Sequence, residues 1–67
     1  MASAVIRGKV GIAYTMDEPL QGRDGKWTVC YQESGDGWKP FFTNRYEQPH
    51  EATLAAMSNI LIALGAR

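Results

Sequence analysis

The sequence predicts an α+β domain: a three-stranded antiparallel sheet packed on one C-terminal α-helix, in the order βββα. Three observations carry that prediction. Apolar and polar side chains alternate over residues 5–14, 26–33 and 38–43, the period of half-buried strands. Turn formers separate these stretches, with Gly22, Asp24 and Gly25 in one break and Ser34-Gly35-Asp36-Gly37 in the other. From Pro49 to Leu64 the apolar period changes to that of a helix, and no charged side chain falls between Glu51 and Arg67.

The size fits one domain, residues 1–67, with a core that supplies no more than about 3–5 kcal/mol of net stability unaided. Cys30 is the only cysteine and His50 the only histidine, so neither an internal disulfide nor a structural metal is expected, and no cofactor motif is present. Oligomerisation is the remaining source of added burial. Seven Lys and Arg balance seven Asp and Glu, so the chain has no overall field to draw it to nucleic acid or anionic lipid. Arg7 and Lys9 interrupt the start too early for a signal peptide, and the uncharged run 52–66 is too short to span a bilayer. A soluble, cytoplasmic protein is expected.

In order, Met1 to Ala4 form a loose, disordered start, and the sheet occupies 5–43. Along the first strand Ile6, Gly8, Val10, Ile12 and Tyr14 face inward while Arg7 and Lys9 point out. Thr15 to Gly25 is expected as a loop with two isolated apolar side chains, Met16 and Leu20. In the second strand Trp27, Val29 and Tyr31 face inward against Lys26, Thr28, Cys30 and Gln32. In the third, Trp38, Pro40 and Phe42 share one parity and Lys39, Phe41 and Thr43 the other. Pro40 lacks the N–H that a central strand needs, which predicts an edge strand. The helix, 49–64, starts with Pro49 in its first turn and Glu51 near its positive end, and stops at Gly65.

The chemistry-bearing residues are few. A Cys30–His50 nucleophilic pair has nothing in the sequence to orient it, and the acidic residues occupy turns and the helix entrance, so no enzyme activity is expected. Parity gathers Arg7, Lys9, Lys26, Thr28, Gln32, Lys39 and Phe41 on the outward face of the sheet. With Gly25-Lys26-Trp27, Phe42-Thr43 and Glu51-Ala52, that arrangement is similar in topology to AP2-type and integrase arm-binding domains. The resemblance implies a bare sheet face that reads DNA through Arg7, Lys9, Lys26 and Lys39. The alternative is a solvated face whose basic residues guard exposed strands.

On a helical wheel Thr53, Leu54, Ala56, Met57, Ile60, Leu61 and Leu64 form one broad face, expected to cover the sheet. Ala52, Ala55, Ser58, Asn59 and Ile62 form the opposite side, and from it Ala52, Ala55, Asn59 and Ile62 are expected at a homodimer interface, with Asn59 fixing register. The reading that follows is a non-enzymatic module that binds a protein partner through Met16, Leu20, Trp38 and Phe41 and assembles as a homodimer; nucleic-acid binding is the alternative.

Overall fold

In the computed structural model the chain forms the expected antiparallel sheet with one C-terminal helix against it, an α+β domain. The structure describes residues 4–7, 11–35 and 37–65. Its strands are β1 (Ala4–Arg7), β2 (Ala13–Met16), β3 (Leu20–Gln21), β4 (Trp27–Thr28), β5 (Cys30–Glu33) and β6 (Lys39–Phe42), followed by α1 (Pro49–Gly65). The main sheet runs β1-β2-β5-β6, antiparallel throughout, and β3 pairs with β4 in a short ribbon.

The first expected strand does not run straight. It folds into a hairpin in which Ala4 pairs with Met16 and Arg7 with Ala13, so the sheet gains a fourth strand. Gly11, at φ +80°, supplies a left-handed conformation that side-chain-bearing residues rarely adopt, and it lies where the chain turns back. The inward placement of Tyr14 holds, since that ring is buried. Gly8, Lys9 and Val10, like residues 1–3, lie outside the described residues.

The expected loop also holds more structure than its composition suggests. Leu20 and Gln21 pair with Thr28 and Trp27, closed by Gly22 N–H donating to the Lys26 carbonyl at 2.8 Å. Gly25, at φ +80°, makes the turn. The second strand spans β4 and β5: between them the Thr43 N–H donates to the Val29 carbonyl, and the Val29 N–H donates to Thr43 Oγ1 at 3.0 Å. Trp27 exchanges both backbone bonds with Tyr46. Strand β6 lies at the sheet edge, as Pro40 requires.

The helix begins with a reciprocal cap. Gln48 N–H donates to Glu51 Oε1 at 3.0 Å and Glu51 N–H to the Gln48 carbonyl at 3.2 Å, which satisfies two donors at the helix start. Pro49 follows at the first helical position, where its missing N–H costs nothing. The core is Val29 with Ala52 and Ala56, walled by Met16, Trp27, Tyr31 and Tyr46. Tyr14 and Ile60 complete the buried apolar set among the described residues.

Candidate interaction surfaces

The helix is rotated from its expected seating. Ala52, Ala56 and Ile60 are its fully buried residues, spaced four apart down one stripe. Leu54 and Leu61 are each 60% exposed and Ile62 is 68% exposed, with Met57 also at the surface. The expected interface residues therefore separate. Ala52 lies in the core, Ala55 is half-buried, Asn59 is exposed at the mouth of a cavity against the sheet, and Ile62 is exposed as well. The reason is volume. The sheet contributes Tyr14, Met16, Trp27 and Tyr31 to the interlayer space, and so wide a floor is filled by small side chains above it, not by a second layer of leucines. A wheel scored on hydrophobicity alone sees none of this.

The third strand has the opposite parity from the expected outward Phe41. Register pairs Tyr31 with Phe41 and Cys30 with Phe42. Phe41 stacks on Tyr31, ring centroids 5.6 Å apart, on the side that faces the helix, yet it remains 41% exposed, in keeping with its expected place at the surface. Thr43 is buried with the same parity and spends its hydroxyl on backbone: it accepts from the Val29 N–H and donates to the Asn44 carbonyl at 2.8 Å. Phe42, 65% exposed, is thereby turned to the outer sheet face, and Trp38, 52% exposed, stands just before β6. Phe42, like Leu54 and Leu61 on the helix, is a surface residue that the sequence reading missed. The signal was present, because the polar Thr43 invited an outward placement that its two hydrogen bonds overturn.

Of the other expected partner contacts, Leu20 is exposed and pairs with Thr28, on the parity of Cys30 and Phe42. Met16 is not at the surface in the expected way; it is partly buried against the core.

The basic residues do not gather. Lys39 pairs with Glu33, which pairs with Tyr14, so Lys39 has the parity of the helix-covered face. The Arg7 backbone pairs with Ala13 at the far edge of the sheet from Lys39. Lys26 lies 3.7 Å from the Glu47 carboxylate. Lys9 falls outside the described residues. Arg45, which was not singled out, donates to Asp24 at 2.5 Å and ties the ribbon turn to the segment that leads into the helix. The Lys26 backbone N–H donating at 3.0 Å and the Arg45 guanidinium together hold the Asp24 carboxyl below the usual carboxylate range.

Cys30 sits in β5, half-buried, and burial pushes its thiol up, with the Asp17 charge adding to the effect. His50 is exposed in the first turn of α1. Among the described residues no three His, Cys, Asp or Glu side chains group in a metal-binding arrangement. A cavity of about 90 Å³ lies between sheet and helix, lined by Tyr14, Tyr31, Glu33, Phe41, Asn59 and Ala63. It is well below the ~300 Å³ at which small-molecule pockets begin. The Tyr14 hydroxyl donates to Glu33 Oε2 at 2.5 Å beside it. No helix among the described residues is long and apolar enough to cross a membrane. The chain matches no known family, and no characterised protein or solved structure is significantly similar to it.

Proposed function

We propose that this chain is a non-enzymatic interaction module that binds a protein partner. One observation carries the reading: among the described residues, more large apolar side chains stand over half exposed than are fully buried. Leu20, Trp38, Phe42, Leu54, Leu61 and Ile62 are all more than half exposed, whereas the fully buried large side chains among the described residues are Tyr14, Val29 and Ile60. Apolar groups scattered singly need no explanation, but here they concentrate on two surfaces, the outer face of α1 and the outer side of β6 with the β3–β4 ribbon. Trp38 just before the edge strand and Phe42 on it are aromatic side chains of the kind that anchor protein interfaces.

Lys39 on the parity of the helix-covered face and Lys26 already beside a carboxylate do not support a nucleic-acid reading. The partner surface is tested by capture from the native host with the wild-type chain, with Phe42→Ser and with Lys39→Ala, followed by mass spectrometry. A protein held by wild type and by Lys39→Ala but lost with Phe42→Ser is the expected result. Identical capture by all three chains sinks the sheet-face anchor.

A further inference from the structure

We propose that the outer face of α1 binds a second copy of this chain, the two helices crossing antiparallel about Ser58. The inference rests on the reading of exposed apolar surfaces as binding surfaces and names the occupant of one of them.

The buried stripe of α1 is Ala52, Ala56 and Ile60. Directly opposite, at about 100° per residue, runs Glu51, Leu54, Ser58, Leu61 and Gly65, whose spacing of three, four, three and four is that of a helix-pairing seam. Met57 and Ile62 flank it. Leu54 and Leu61 stand out as ridges, and Ser58 between them is small and exposed, which lets a second backbone approach. An antiparallel two-fold through Ser58 brings Leu54 of one copy against Leu61 and Ile62 of the other, so each ridge meets apolar surface. The same operation sets Glu51 opposite Gly65, a position with no side chain to clash or repel.

Charge points the same way. Beyond Glu51 the described helix has no charged side chain, so its face carries no feature that would select an acidic or basic partner and none that would repel its own copy. Area sets the strength. The 17-residue helix is about 25 Å long, and a strip about 140° wide, from Met57 to Ile62, presents on the order of 400 Å² per copy. The pair buries on the order of 800 Å², below the ~1,000 Å² of a firm interface, which marks a reversible, concentration-dependent dimer.

Light scattering or sedimentation equilibrium on the full chain from about 1 µM to about 500 µM brackets the affinity of so small an interface. The expected mass rises from 7.4 kDa toward twice that value, and Leu61→Glu holds it at 7.4 kDa with its helical circular dichroism intact. A second variant reads the geometry: in a Cys30→Ala background, Ser58→Cys oxidised with copper phenanthroline gives a disulfide-linked dimer, since the crossing brings the two positions within bridging range. A wild-type mass of 7.4 kDa throughout overturns the proposal, as does a dimer that survives Leu61→Glu. Either failure leaves the Phe42-dependent capture standing, so loss of the dimer is distinguishable from loss of the module reading.

Discussion

The two faces of α1 invert the usual arrangement of a small domain. Inward it presents two alanines and one isoleucine; outward it presents two leucines, an isoleucine and a methionine. The inner face meets a floor of aromatic side chains and is filled for fit, whereas the large side chains of the outer face stand exposed among the described residues. The difference teaches that hydrophobicity alone does not say which side of a helix is inside. Volume against the opposing layer decides it.

The strongest test of that contrast is a matched pair of truncations. Ile60→Ala removes a fully buried side chain between helix and sheet and should cost about 2–5 kcal/mol, a large share of the stability of so small a core. Leu61→Ala, one residue on, removes a mostly exposed side chain and should cost the monomer no more than about 0.5 kcal/mol. Urea unfolding at low micromolar concentration, where any dimer is dissociated, measures both. Equal losses would mean that α1 is seated as the hydrophobic wheel suggests, with Leu61 against the sheet.

How much of this was legible in the sequence follows from where a pattern had one solution. Strand two was readable because Trp27, Val29 and Tyr31 share a parity with no rival, and the helix was bounded by Pro49, Glu51 and Gly65. The edge position of β6 followed from Pro40 alone. Strand three offered aromatic residues on both parities, and the choice was settled by long-range register, Phe41 against Tyr31 and Thr43 against Val29, which no local period encodes. The hairpin of the first strand was hidden because alternation continues through residues 7–13 as if the chain were straight. At the candidate surfaces Leu20, Trp38 and Ile62 were found, while Phe42, Leu54 and Leu61 were not, because the sequence reading gave each of those three to the core.

The parity of strand three can be sharpened with one hydroxyl. Thr43→Val keeps the shape of a buried side chain but removes the acceptor for the Val29 N–H, which then lies buried without its partner. The expected loss is about 1–3 kcal/mol. Thr43→Ser, which restores the hydroxyl, should recover most of it, and faster hydrogen exchange at the Val29 amide in the valine variant would locate the effect. A neutral Thr43→Val would mean that Thr43 points to solvent and Phe42 packs inside, returning strand three to the expected parity.

The smallest effect concerns what fixes the helix beside its aromatic floor. Asp24 receives the Lys26 N–H and the Arg45 guanidinium, so the ribbon turn is clamped to the segment three residues before the Gln48 cap. Its carboxyl titrates lower in the fold than in the unfolded chain, and the sign follows from that. The folded state holds the deprotonated form more tightly, so the clamp contributes above the unfolded carboxyl pKa and is lost as pH falls through the folded one. A carboxyl carbon resonance for Asp24 that titrates below the usual carboxylate range, and moves up in Arg45→Gln, is the expected result. Because both partners face water, salt should weaken the shift. If Asp24 titrates the same way in both proteins, Arg45 does not hold the turn, and the rotation of α1 must be set by Trp27, Tyr46 and the alanine stripe alone.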